Sequence, residues 1–496
     1  DLLILDAFWG DAVPIHLLTQ EAFDLYFERL KPEGLFVLNI STRYLDLTPL
    51  VAAEAERLGW VGLQRREGHL GGTSGRAWSR SWASSAQAAE GSRSRSGRCG
   101  ISATLLPDSG SSGSSLGSSS PSFAALRESD MPGSEHFSGD YVVARARFRR
   151  AAEARGATLE AHSVSQRGPQ GEDLTIDVAI LGTDRPRKTV VVSSGLHGVE
   201  GFVGSAVQHA VLTNQLTDPK AIPAGVRVVL LHALNPYGFA WIRRVNERNV
   251  DLNRNFLRPG ERFAGAPEGY AELNGLLNPR RPPRRHFSLL KLKAALQIAR
   301  HGMTALKSAV AGGQYDYPLG LFFGGGGPQK TQEILAAELG RWIGSETTER
   351  VFHIDLHSGL GPMGSYKLLV DHPAGTPAVA ELARHFGADV VQPWEPETGV
   401  AYEITGGLGT WCQSTFPNNA YDVLVAEYGT RPPLDVIEAL HHENRAHHWG
   451  GGPEDPGTRF AKRLMLEAFA PSEPEWRETV VPKGELIVRR ALLAAE

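Results

Sequence analysis

The chain has 496 residues, too many for one ordinary hydrophobic core, so two or three folded units are expected. Its 41% hydrophobic and 21% charged residues are typical of a globular protein, and no apolar run is long enough to cross a bilayer, which excludes a membrane-spanning helix. A formal net charge of −4 gives no general attraction to nucleic acid or anionic lipid, which leaves peptides and small molecules as the expected substrates.

The sequence opens at Asp1 inside a strand-like run, with no initiator Met, basic leader or cleavage site, and reads as a fragment. Residues 1–60 follow an α/β pattern: DLLILDAF as a buried strand, Gln20 to Arg29 as a helix and GLFVLNI as a second strand. The words LLILDAFWGDAVPIHLLTQEAF and RLKPEGLFVLNI resemble the later half of the spermidine synthase and methyltransferase-like fold, in which Asp6 would end a strand beside the amine substrate. The Gly-rich turn that cradles a nucleotide belongs to the earlier half, so residues 1–70 are expected to be a partial Rossmann-like segment without activity.

From Gly71 to Arg127 the composition collapses into Ser, Gly, Arg and Ala, with too few apolar residues to offset chain entropy. Residues 71–130 therefore read as a disordered linker. Its Arg/Ser texture lacks the interleaved aromatics of a nucleic-acid-binding tail. The two cysteines, Cys99 and Cys412, lie far apart, which implies neither a disulfide framework nor a thiolate metal site and fits a reducing cytoplasm.

Globular texture returns at Met131, itself a possible native start, and continues to the last residue as one domain, 131–496. A helix over Ala144 to Arg155 is followed by strands at LTIDVAIL, KTVVVSS and VRVVLLHAL, with a helix from Phe202 to Leu212 joining the last two. Further β-like runs, VFHIDLH and YDVLVAEYG, alternate with helices near Thr331 to Ile343, Pro377 to Phe386 and Leu434 to His447. Such alternation predicts an α/β fold with a mostly parallel, mixed sheet covered by helices on both faces.

In VVVSSGLHGVEG, His197 and Glu200 stand three residues apart where a strand gives way to a helix. An imidazole and a carboxylate suit zinc, and a second imidazole from another strand end completes a three-ligand site that leaves one position for water. His357 in FHIDLHSGLG is the best candidate, because it too ends a buried strand. The segment NPYGFAWIRRVNERNVDLNRNF is dense in Asn and Arg. Bidentate guanidinium recognition of carboxylates suits Arg254 with Asn253, and Arg244 further back, to an anionic substrate group, while Asp251 can accept the second ring N–H of a ligand histidine. Glu427 in VLVAEYG would put a carboxylate at the end of an apolar strand, costly unless it faces a site, and is the choice for general base; the structural alternative is an ion pair with Arg431.

Together these motifs resemble the zinc carboxypeptidase A superfamily, and within it bacterial carboxypeptidase-like proteins of unassigned function, over roughly residues 131 to 450. HGVEG, NPYG with Arg244, DLNRNF, LHSG and AEYG occur in the superfamily's order. The resemblance implies a three-layer α/β/α fold with a central mixed eight-stranded sheet, and one zinc ion on His197, Glu200 and His357. It also implies that Asn253 and Arg254 bind the substrate's terminal carboxylate, Arg244 holds the polarised carbonyl oxygen, and Asp251 orients His197. Tyr402, nine residues before Trp411, matches the superfamily's mobile tyrosine in spacing, although Thr410 replaces the Asp usual just before that tryptophan. The activity implied is hydrolysis of a C-terminal peptide bond. An N-acyl amino acid deacylase of the aspartoacylase and succinylglutamate desuccinylase type shares the metal site, and a zinc-bearing binding module without turnover is the alternative outside enzymes.

Three other segments carry weaker signals. In FFGGGGPQKT, Gln329 stands where a phosphate loop requires Gly, so a flexible loop near the cleft is expected. The histidines of HHENRAHHWG are expected on a solvated helix face, and PRRPPRRH, around Arg280 to His286, as an extended surface insertion.

Overall fold

Each apolar run recognised after Met131 becomes a strand of one mixed sheet. The structure, a computed structural model, describes residues 2–5, 20–29, 35–38 and 57, then 134–283 apart from 268, 312–393 and 405–496. The chain divides into two units, residues 1–123 and 124–496. In the first, β1 (Leu2–Leu5) and β2 (Leu35–Leu38) pair in parallel, with α1 (Gln20–Arg29) between them in sequence and Phe23 buried. Asp6 and the linker expected over 71–130 lie outside the described residues.

The second unit holds an eight-stranded sheet built from β3 (Thr158–Arg167), β4 (Asp173–Gly182), β5 (Lys188–Ser194), β6 (Val226–His232), β7 (Arg350–Ser358), β8 (Tyr366–Val370), β9 (Val391–Pro393) and β10 (Ala420–Tyr428). Their order is β3-β4-β6-β5-β7-β10-β8-β9. The central β6, β5, β7 and β10 run parallel, whereas β3 and β4, β4 and β6, and β8 and β10 are antiparallel. A parallel centre must be covered on both sides, and all seven residues of β6 are accordingly buried.

Among the described residues of this unit the α-helices, in chain order, are α2 (Tyr141–Glu153), α3 (Gly201–Ala210), α4 (Pro236–Ala240), α5 (Tyr270–Leu277), α6 (Lys330–Ile343), α7 (Pro377–Phe386), α8 (Leu408–Thr415), α9 (Pro433–Trp449), α10 (Pro456–Phe469) and α11 (Pro474–Ala495). On one face α3 packs so closely that a Cβ on Gly204 would stand 2.5 Å from Ser194 Cβ. On the other, Thr189 Oγ1 donates to the Ile343 carbonyl at the end of α6 (2.8 Å). The three-layer α/β/α arrangement with a mixed eight-stranded sheet is thus present.

Helix ends follow local chemistry more than hydrophobic period. Helix α2 begins at Tyr141, before the expected Ala144, because Asp140 Oδ1 accepts from the Val143 N–H (2.8 Å) and fixes the first turn. Strand β3 escaped the sequence reading because it is half-exposed and polar, and α11 because Pro482 and Gly484 interrupt it. Gly484 has a packing reason: a Cβ there would lie 2.5 Å from Val207 Cγ1 on α3.

Two expectations are corrected. The histidine-rich segment is no solvated face, since His441 and His442 are each 4% exposed and Glu443 2%. Helix α9 packs on α10, and Glu443 Oε1 accepts from both Arg243 Nε (2.9 Å) and Lys462 Nζ (2.7 Å), which compensates its burial. The glycine run is likewise fastened rather than loose: Asn255 Nδ2 donates to the carbonyls of Gly324 (2.8 Å) and Gly327 (2.9 Å), and Asn255 Oδ1 accepts from the Gln329 N–H (3.0 Å). Of the basic insertion, the Arg281 carbonyl accepts from Arg445 Nε (3.0 Å), and residues 284–286 lie outside the described residues.

Candidate metal centre

The carboxyl ends of β5, β7 and β10, three adjacent parallel strands, open on one crevice, where ligands of open α/β sheets collect. His197 follows β5, His357 is the penultimate residue of β7, and Glu427 is the penultimate residue of β10, directly opposite His357. A turn of 3-10 helix, Gly198–Glu200, swings Glu200 back beneath His197.

That turn is held by the NPYG segment. The N–H groups of Gly198 and Val199 donate to the carbonyls of Arg244 (3.0 Å) and Arg243 (2.8 Å). The two loops touch backbone to backbone, so a Cβ on Gly198 would lie 2.1 Å from the Gly238 carbonyl carbon. Two motifs forty residues apart in the sequence thereby form one rigid rim.

The candidate ligand atoms converge. His197 Nδ1 lies 3.0 Å from Glu200 Oε1, His357 Nδ1 lies 2.9 Å from Glu200 Oε2, and the two Nδ1 atoms are 3.2 Å apart. Among the described residues this is the one group of three His, Cys, Asp or Glu side chains whose ligand atoms lie within 4.8 Å of one another. All three are at most 5% exposed.

Each far ring nitrogen has charged neighbours. His197 Nε2 lies 2.7 Å from Arg244 Nη2 and 3.2 Å from Asp251 Oδ1, and His357 Nε2 faces Asp355 Oδ2 (2.6 Å). At His357 the carboxylate fixes the ring with Nδ1 turned to the centre, the arrangement that makes imidazole a metal ligand, and at His197 Asp251 shares Nε2 with the Arg244 guanidinium. The donor set of two imidazole nitrogens and a carboxylate therefore fits a divalent cation of zinc type. Sequence reasoning selected Asp251 and missed Asp355. Its signal was the Asp-x-His spacing of FHIDLH, since residues two apart on a strand share a face.

Burial by itself would raise the Glu200 carboxyl, but His197 and His357 beside it hold it down at about 2. Burial likewise opposes ionisation of Asp251 and Asp355, and is overridden at Asp251 by Arg244 and His197 and at Asp355 by His357. Glu427 behaves oppositely. Burial, with the negative Glu200 nearby, pushes it up to about 7, against the pull of His357, the Leu360 N–H and Arg244. Its Oε1 accepts from the Leu360 N–H (2.9 Å). Arg431 turns away from it to Glu467 and Glu473, so the ion-pair alternative for Glu427 is absent.

Arg244 lies within the same cluster. Its Nε donates to Asp251 Oδ2 (2.9 Å), and its Nη1 stands 3.7 Å from Glu200 Oε1. Asp251 caps the short turn Leu252–Arg254, with Oδ1 accepting from the Asn253 N–H (3.1 Å). Asn253 Oδ1 then accepts from the Leu408 N–H at the start of α8 (3.1 Å), and Arg254, 1% exposed, is packed over Gly313. Tyr402 lies outside the described residues.

No curated protein matches this sequence. Among solved structures, the chain is similar to carboxypeptidase A from Helicoverpa armigera, at 12% identity over 66% of this chain and 74% of that one (TM-score 0.37). It is similar as well to the metallo-carboxypeptidase from Burkholderia cenocepacia, at 12% identity over 70% and 67% (TM-score 0.33). A third is bovine thrombin-activatable fibrinolysis inhibitor in complex with tick carboxypeptidase inhibitor, at 12% identity over 71% and 98% (TM-score 0.35). None of the comparisons supports the methyltransferase-like reading of residues 1–60. The family model described as "Protein of unknown function (DUF2817)" matches residues 137–483, and the chain belongs to that family.

Proposed function

We propose that this protein is a zinc-dependent hydrolase that cleaves a C-terminal peptide bond or a related amide. The observation that carries the reading is the meeting of His197, Glu200 and His357 around one point, with Glu427 opposite His357 on the next strand. A zinc ion bound there supplies Lewis-acid polarisation of a carbonyl and acidifies a water molecule.

Glu427 is the general base. With its pKa near 7 it can accept a proton from the attacking water and return it to the leaving nitrogen, a task for which a pKa close to the working pH is best. Arg244, beside the ligand cluster, is suited to hold the carbonyl oxygen as its charge develops. Asn253 and Arg254 form the anchor for a free carboxylate. Asp251 and Asp355 orient the two ligand histidines.

The test uses the full chain. Elemental analysis should find about one zinc per chain. A panel of peptides with free or amidated C-termini, and of N-acylated amino acids, should show release of the last residue from the free peptides alone. Hydrolysis confined to acylated amino acids would reassign the protein as a deacylase, and a metal-loaded protein inert toward the whole panel would reject the hydrolase reading.

A further inference from the structure

Behind His357 a line of polar side chains crosses the sheet where the neighbouring positions are apolar. His353, Asp355 and His357 alternate along β7 and share one face, with Ser193 of β5 directly opposite Asp355. His357 Nε2 meets Asp355 Oδ2 at 2.6 Å, and the other oxygen, Oδ1, accepts from Ser193 Oγ at 2.6 Å. Ser193 Oγ lies 2.7 Å from His353 Nε2, and His353 Nδ1 lies 3.0 Å from the Tyr421 hydroxyl on β10. Ser193 and His353 are wholly buried, and Tyr421 is 5% exposed.

The donors in this line all point the same way. Asp355, ionised, can only accept, so Ser193 spends its one hydroxyl proton on Asp355 and must accept from His353. His353 therefore carries its proton on Nε2, leaving Nδ1 to accept from the Tyr421 hydroxyl. Burial holds the His353 imidazole down at about 4, which keeps it neutral and consistent with that single tautomer. The line thus runs from Tyr421 through His353 and Ser193 into Asp355, and both carboxylate oxygens of Asp355 are occupied.

A buried polar chain of this kind is demanding, because each member left unmatched incurs the desolvation cost of its group. Valines would pack these positions without that risk, as Val191, Val423 and Val425 do beside them. The chain also links β5, β7 and β10, the three strands that bring in His197, His357 and Glu427.

We infer that Ser193, His353 and Tyr421 are positioning residues for the metal centre, acting through Asp355 to hold His357 with Nδ1 toward the ion and so to set the affinity for zinc. The inference rests on the proposed zinc site. It gives Ser193, otherwise an unremarkable strand serine, a defined function in metal retention.

The experiment is a competition titration of the full chain against a chromophoric zinc chelator. It compares wild type, Ser193→Ala, Tyr421→Phe, Asp355→Asn and the Ser193→Ala/Asp355→Asn double variant, with the melting temperature of each metal-free protein recorded. Ser193→Ala should weaken zinc binding by about tenfold and Asp355→Asn by up to about a hundredfold, the range for groups supporting a ligand histidine. Tyr421→Phe should weaken it less. In the double variant the effects should not multiply, because Ser193 acts only through Asp355. If Ser193→Ala does not fold, Tyr421→Phe with Asp355→Asn supplies the same cycle. Zinc affinities unchanged in the serine and tyrosine variants, with only the metal-free melting temperature lowered, would overturn the inference while leaving the zinc site intact. A wild-type chain that binds no zinc would overturn both.

Discussion

Glu427 and His357 sit directly opposite each other on β10 and β7, so the proposed base and a candidate metal ligand are delivered to one crevice by the register of two parallel strands. Neither side chain needs a loop to place it. Glu427→Gln keeps the shape and the acceptance from the Leu360 N–H while removing the charge, and should lower turnover by about 10²- to 10⁴-fold. Zinc content should stay at the wild-type level. Steady-state kinetics paired with elemental analysis separates these two readouts.

The raised pKa of Glu427 fixes the acid limb of the pH profile. Where the carboxyl holds a proton it cannot take one from water, so kcat/KM should fall with acidification by about tenfold per pH unit, from a point below the metal-free value of about 7 because a bound cation favours the carboxylate. Arg244 favours the charged carboxylate. Its removal in Arg244→Ala should therefore move the limb to higher pH in addition to lowering the rate. A limb that stays in place or moves down would show that Arg244 does not act on Glu427.

Chelation should leave a less stable protein. Three groups that face one another across about a hydrogen-bond length lose the ion that reconciles them, and a ligand present at 100 times its dissociation constant stabilises by about 2.7 kcal/mol. Thermal melts with and without chelator should differ accordingly. Re-addition of zinc should restore the original transition, whereas magnesium, which favours all-oxygen ligands, should not.

Arg254→Lys retains the charge and loses the fork that grips a carboxylate in two places. KM for peptides with a free C-terminus should rise by one to two orders of magnitude, roughly 1.4 to 2.8 kcal/mol of binding. Any residual cleavage of amidated peptides should be untouched. Equal losses on both substrate types would place Arg254 outside carboxylate recognition.

The buried Glu443 gives a stability test remote from the metal. Burial opposes its charge, yet Arg243 and Lys462 hold it down at about 2, so its stabilising effect is full above the ordinary glutamate range near 4.5 and is lost as pH falls toward 2. Glu443→Gln leaves two cations facing a neutral amide and should cost about 3–5 kcal/mol in chemical denaturation at pH 7. At pH 3 the difference from wild type should shrink.

Much of this protein is determined locally and was legible as such. The apolar runs that became β5, β6, β7 and β10 are continuous because a parallel centre is buried on both faces, and the candidate ligand histidines stand at or just past strand ends because that is where such a sheet opens. Strand-end position in the sequence was enough to group His197 and Glu200 with His357 as candidate ligands, and their side chains meet. Other features depend on which surfaces meet. The burial of His441 and His442, the fastening of the glycine run by Asn255, and the joining of Ser193, His353 and Tyr421 to Asp355 involve partners far apart in the chain. A sequence states which groups are polar, but only the packed fold decides which of them lose water and what they bond to instead.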